Sequence, residues 1–187
     1  MSSRNLKIIH VISSLDTGGA EKILTNILIT TNNQFTHKVL CLKKPGILKN
    51  FLQENNIEVI SYNLKPNFFS FSNFVKFYCI FKFFKKEKPD IMQSWLYHSD
   101  FIGGIFAKLA GCKKIIWGIY GYNLSFQLNG IKTKILIKLN SYLSHFIPDI
   151  IISNSTASAQ MHKNTGYKKN IFEIITVGFP MIAITPS

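Results

Sequence analysis

Two hydrophobic patterns alternate along the 187-residue chain. Short runs rich in β-branched residues predict buried strands over 7–13, 37–42, 58–62, 90–94, 114–120, 149–153 and 172–176. Between them, apolar residues recur at helical spacing, predicting helices over 20–31, 46–55, 71–86, 99–110, 131–146 and 156–164. In the first helix Ile23, Leu24, Ile27 and Leu28 share one face. Ser70 or Ser72 is available to cap the third, Pro89 and Pro148 block two helices, and Gly111 closes a third as a C-terminal stop. Strands alternating with helices at this spacing predict an α/β domain with a doubly wound, mostly parallel sheet covered on both faces. Ligands in such sheets bind beyond the carboxyl ends of the strands. Attention therefore falls on the loops 14–19, 95–98, 120–129 and 154–155.

Composition supports a folded domain, with 47% hydrophobic and 17% charged residues. The net charge of +13, from 22 Lys and Arg against 9 Asp and Glu, suggests an anionic partner. A coding bias towards Lys, Asn, Ile and Phe is the competing explanation. Nucleic acid is not expected as a partner, because the chain has no Arg-rich run, zinc spacing or RNA-binding motif. Cys41, Cys79 and Cys112 are scattered without metal or disulfide spacing, as expected for a reducing compartment. The N-terminus lacks the layout of a signal peptide, and no apolar run reaches the roughly 18 residues of a membrane span. The longest near-miss, 68–84, is broken by Lys76 and Lys82. A cytoplasmic protein is expected, able to rest on the inner face of a membrane. Helices 71–86 and 131–146 interleave lysines with aromatic or aliphatic residues. They read either as membrane-surface helices or as ordinary sheet-covering helices with a solvated Lys face.

Three loops carry candidate chemistry. In the first, Gly18-Gly19 followed by Ala20-Glu21 leads into a helix, where exposed backbone N–H groups favour an anion. A tight turn without ligand is the alternative. The dinucleotide fingerprint and the P-loop are both absent, which argues against an NAD enzyme. In the second, Trp95, Tyr97, His98, Ser99 and Asp100 enter a helix. There His98, favoured as neutral imidazole, could bond a sugar or phosphate, or Ser99 or Asp100 could simply cap. Gly103-Gly104 inside that helix costs helix propensity and implies close packing on the sheet. In the third, Trp117, Tyr120, Tyr122 and Asn123 could stack on and bond a sugar, or serve as core aromatics. No paired carboxylates, Ser-His-Asp set or Cys-His set stands in a motif context.

These same residues resemble a known family. Ile8-Ile9-His10-Val11-Ile12 with Gly18-Gly19-Ala20-Glu21 resembles the opening of family 4 glycosyltransferases. The stretch from Gln93 to Gly104, then Ala107-Lys108-Leu109-Ala110-Gly111 and Trp117-Gly118-Ile119, is similar to the capsule, lipopolysaccharide and exopolysaccharide enzymes of that family. Asn154-Ser155, His162 and Gly166-Tyr167 are similar to its later helical region. The resemblance implies the N-terminal Rossmann-like half of a two-domain GT-B enzyme that retains anomeric configuration. Residues 1–176 would form the acceptor-side domain, and 177–187 would begin the segment towards a donor domain.

It further implies a nucleotide sugar as substrate, no cofactor and no divalent metal. Gly18, Gly19 and Glu21 would border the donor phosphates, and His98 and Tyr120 are the catalytic candidates. Trp95, Tyr97, Asp100, Tyr122, Asn123 and Ser155 are the acceptor-side candidates. The acceptor would be a cell-envelope glycan or lipid-linked glycan, and a separate donor-domain chain is a candidate partner. The sequence departs from the family pattern at Tyr120, where Arg is usual, at Gly121-Tyr122, where His-Ser is common, and at Val177-Gly178-Phe179-Pro180. A non-catalytic remnant or scaffold domain with the same fold is the other expectation.

Overall fold

The computed structural model describes residues 5–65, 70–120 and 130–176. Among the described residues, seven strands alternate with six α-helices. They are β1 (Lys7–Ile12), α1 (Gly19–Thr31), β2 (Thr36–Cys41), α2 (Leu48–Glu54), β3 (Glu58–Ser61), α3 (Phe71–Glu87) and β4 (Ile91–Trp95). There follow α4 (Tyr97–Ala110), β5 (Lys114–Ile119), α5 (Ile131–Leu143), β6 (Ile150–Ser153), α6 (Thr156–Thr165) and β7 (Phe172–Ile174), the last after a 3-10 turn. Every pairing is parallel, in the order β3-β2-β1-β4-β5-β6-β7. The chain runs outward from β1 to β3, returns through α3, and runs outward again from β4 to β7. The order thus reverses between β1 and β4, and a crevice opens beyond their carboxyl ends.

Two apolar cores cover the sheet. Leu24 and Leu28 of α1 and Leu52 of α2 pack with Ile12, Val39, Cys41 and Trp95. Ile80, Phe83 and Phe84 of α3, Ile102 of α4 and Ile137 of α5 pack with Val11, Leu40, Met92 and Trp117. Gly103 and Gly104 bring α4 against this second face. A Cβ on Gly103 would stand 3.0 Å from both Val11 methyls, and one on Gly104 would stand 2.7 Å from Trp117 Nε1. At the amino edge, away from the crevice, Lys7 and Lys38 both pair with Glu87, and Lys38 also pairs with Glu58.

The two basic helices depart from the ordinary sheet-covering pattern. On α5 the buried residues are Ile137, Asn140 and Ser141. The apolar row read from the sequence faces outward instead: Ile131 is 75% exposed, Leu139 47% and Tyr142 67%. Polar contacts cause this inversion. Asn140 donates from Nδ2 to the Tyr97 carbonyl at 2.8 Å, which draws the small, polar side of the helix onto α4. On α3, Ile80, Phe83 and Phe84 are buried, whereas Phe71, Phe74, Val75 and Tyr78 are exposed. No helix among the described residues is long and apolar enough to cross a membrane.

Candidate functional site

The β1–α1 turn lies on one side of the crevice. It is braced by the connection before α2: Leu15 N donates to Pro45 O at 2.7 Å, and Leu48 N donates to Leu15 O at 3.0 Å. Gly46, at φ +78, has no room for a side chain against Leu15. Gly18 and Gly19 are different. Gly18 has φ −74 and ψ 171, extended backbone open to any residue, and no side chain caps the helix that follows. Gly19 also lies outside the positive-φ region, and a Cβ placed on it would meet nothing within 4 Å. Backbone conformation therefore does not demand glycine at 19, and the N-cap residue Gly18 offers the first N–H groups of α1 no side-chain acceptor. A Cβ on Gly18 would collide with the Glu21 carboxylate, which folds back over the turn. That carboxylate occupies the end of the helix dipole that favours negative charge, and an incoming anion must displace it.

Across the crevice, the β4–α4 junction is strained. Leu96 holds φ 69 and ψ 165, a region that is essentially glycine's and costs on the order of 1–3 kcal/mol. Its N–H is committed to Gly118 O at 3.0 Å, and its carbonyl accepts from Ser99 N and Asp100 N. This tight entry starts α4 two residues earlier than the sequence pattern predicts and throws Tyr97 and His98 into the first turn.

Behind the junction, Trp95 is fully buried and stacks on Tyr120, with ring centroids 4.9 Å apart and an interplanar angle of 18°. Gly118 makes room for that stack, since a Cβ there would lie 2.7 Å from Tyr120 Cε2. Asp100 is fully buried, accepts from Ser94 Oγ at 2.7 Å, and leaves Oδ2 without a partner. Burial pushes its carboxyl up to about 7, with the Ser94 bond opposing. Burial, and then the Asp100 charge, raise the Tyr120 and Tyr97 phenols. Tyr97 bonds to His162 Nε2 at 2.9 Å. His162, held at Nδ1 by Ser158 O at 2.8 Å, titrates low because it is buried.

The sequence-predicted site residues thus separate into groups. Trp95, Tyr97, Asp100 and Tyr120 come together. Trp95 and Asp100, read from the sequence as acceptor contacts, have no accessible surface and support the crevice from behind. Ser155 caps α6 by accepting from Ser158 N at 3.2 Å, so its hydroxyl is engaged in the helix terminus. Gly18, Gly19 and Glu21 form a separate edge. Tyr122 and Asn123 lie outside the described residues.

His98 faces a cavity of about 880 Å³ between α3, α4 and α5. Partial desolvation, then the nearby positive charge of Lys43, lower its pKa. Ser13, Lys43, Lys65 and Lys132 line the same cavity. Sequence reasoning missed these lysines, whose signal was diluted among the chain's many others. Among the described residues, no group of three or more His, Cys, Asp or Glu is placed to hold a metal ion.

A parallel sheet with a crevice at its reversal point, bordered by an uncapped helix, defines a Rossmann-like α/β domain with a ligand face at its carboxyl edge. The fold is that of one half of the GT-B proteins. Anabaena HepE in complex with UDP matches with a TM-score of 0.76 at 18% identity, over 93% of this chain and 44% of that chain. The apo form of the lipopolysaccharide outer core galactosyltransferase WaaB matches with a TM-score of 0.65 at 14% identity, over 91% and 45%. A UDP-N-acetylglucosamine 2-epimerase matches with a TM-score of 0.64 at 13% identity, over 91% and 48%. At these identities the likeness is one of fold, and the chain spans less than half the length of each. No protein-family profile and no curated protein sequence matches the chain.

Proposed function

We propose that this chain is the N-terminal, acceptor-side domain of a retaining glycosyltransferase of family 4. In this reading it moves a sugar from a nucleotide sugar to a cell-envelope glycan or lipid-linked acceptor at the inner face of the membrane. The observation that carries the reading is the uncapped Gly18-Gly19 turn at the reversal point of the sheet, in a fold shared with a UDP-bound structure. Backbone N–H groups there can meet a donor phosphate, and His98 across the crevice can meet a sugar or acceptor hydroxyl. The donor's nucleotide and sugar contacts belong to a second domain, and no divalent metal or cofactor is needed. Transfer demands donor and acceptor held together in a closed cleft, so the chain alone is expected to be inactive.

The test is titration of the ¹⁵N-labelled chain with UDP. Roughly millimolar binding is expected, because a few hydrogen bonds to one end of a nucleotide must offset the entropy of association. The largest shifts should fall on the Gly18 to Glu21 amides, and Gly19→Trp should remove them while the fold persists. Absence of shifts there at saturating UDP would overturn the proposal, and sugar transfer by the purified chain alone would overturn its expected inactivity.

A further inference from the structure

The cavity facing His98 is amphipathic in a particular way. Its walls are Leu64, Phe101 and Ile102 on one side and Ile135, Leu136 and Leu139 of α5 on the other. At about 880 Å³ it is large enough for a sizeable small-molecule ligand. The charged groups that line it are Lys43, Lys65 and Lys132, with His98 beside them and no carboxylate among the lining residues. All three ammonium groups belong to exposed residues, and none has an ion-pair partner among the described residues. Like charges brought to one rim repel each other, and an anion between them relieves that repulsion. An apolar path also leaves the cavity. Ile135 and Leu139 are shared with a shallower groove of about 500 Å³ that continues along α5 past Tyr142.

We infer that this cavity is a binding site for a lipid phosphate, its phosphate held by Lys43, Lys65 and Lys132 and its hydrocarbon chain laid against Phe101, Ile135 and Leu139 towards the α5 groove. The charge pattern excludes a neutral lipid as the preferred occupant, because it would leave the clustered ammonium groups without a counter-charge. A free inorganic phosphate is disfavoured by the apolar walls, which contribute only when hydrocarbon covers them. Such a ligand carries the phosphate of a lipid-linked sugar acceptor. Its role as acceptor rests on the proposed glycosyltransferase function; its binding does not.

Calorimetric titration of the full chain with farnesyl phosphate, below its micelle concentration and without vesicles, tests the inference. Farnesol and inorganic phosphate serve as the separate halves of the ligand. Farnesyl phosphate should bind at least about tenfold more tightly than either half, with an affinity that falls as salt rises. Lys43→Glu and Lys132→Glu should each weaken it about tenfold. Leu139→Asn, which adds polarity without charge, should weaken it similarly without changing the affinity for inorganic phosphate. All three alter exposed side chains, and amide spectra of each variant establish that the fold persists. Lys113→Glu, in the α4–β5 turn, should leave binding unchanged.

Equal affinity for farnesol would overturn the phosphate site, and equal affinity for inorganic phosphate would overturn the lipid site. Full retention of binding in Lys43→Glu, Lys132→Glu and Leu139→Asn, or no binding to the folded chain, would overturn both. UDP binding is read at the Gly18 to Glu21 amides and lipid phosphate binding at the Ile135 and Leu139 methyl groups, so either can fail alone.

Discussion

Trp95 Nε1–H can only donate, and it points at His10 Nδ1 at 3.4 Å. That assigns the His10 proton to Nε2, which donates to His37 Nδ1 at 3.1 Å. His37 in turn donates from Nε2 to Thr31 Oγ1 at 2.9 Å, and the Thr31 hydroxyl donates to Ile27 O at 2.6 Å. Every member is committed in one direction, so a proton added to His10 has no acceptor. Burial, and then the His37 charge, lower the His10 pKa to about 3. Its stabilising effect is complete above the unfolded value of 6.5 and is lost as pH falls towards 3. Asp100 has the opposite sign. Its folded pKa of about 7 lies above the ordinary 3.8, so its penalty grows as pH rises between those values. The two slopes oppose each other between pH 5 and 7, and variants separate them. In Asp100→Asn, urea denaturation should show stability rising by about 2 kcal/mol from pH 5 to pH 7. In His10→Phe, which keeps Asp100 alongside the lowered His37, His98 and His162, the change over the same range should lie well below that of Asp100→Asn. Parallel curves for the two variants would refute the assignment.

The helices add information that single residues lack. Helix α4 contains two glycines at a cost in propensity of about 1 kcal/mol each, offset by close approach to the sheet. Gly104→Ala would place a methyl 2.7 Å from Trp117 Nε1 and 3.1 Å from Ile147 Cγ2. Overpacking of this kind costs roughly 1–3 kcal/mol, more than the propensity recovered. A net destabilisation of about 1 kcal/mol is expected, measured as a lower urea midpoint at unchanged slope. Gly19→Ala, which meets only open space, should stay within about 0.5 kcal/mol of the parent. A stabilised Gly104→Ala would show that α4 can move off the sheet at little cost.

On the scale of the whole molecule, the exposed apolar rows of α3 and α5 lie among lysines, in a chain of net charge +13. Lys82 sits over the Tyr78 ring at 4.9 Å, and Lys85 over Phe81 at 5.9 Å. Exposed apolar side chains interleaved with ammonium groups suit an anionic bilayer surface, where the rings enter the headgroup region and the lysines meet lipid phosphates. Sedimentation with phosphatidylglycerol vesicles should exceed that with phosphatidylcholine vesicles severalfold and decline as salt rises. Leu139→Asp together with Tyr142→Asp should reduce it at every salt concentration. Equal, salt-insensitive sedimentation with both vesicle types would refute the electrostatic part of the proposal.

Sequence alone determined the type and order of the elements, each boundary falling within three residues of the observed one. Strand and helix periods of 2 and 3.6 residues are local properties, and Pro89, Gly111 and Pro148 act on their immediate neighbours. The loops after β1 and β6 were legible for the same reason, as was the need for close packing at Gly103 and Gly104. Tertiary structure decided what periodicity cannot carry. It turned the apolar row of α5 outward, because Asn140 found the Tyr97 carbonyl 43 residues away. It paired His10 with His37 across 27 residues. It buried Trp95 and Asp100 behind the crevice rather than within it. It also gathered Lys43 and Lys65 from two connections and Lys132 from the first turn of α5 around one apolar cavity. These outcomes depend on which groups meet after the chain has crossed the sheet, and no window of neighbouring residues contains that information.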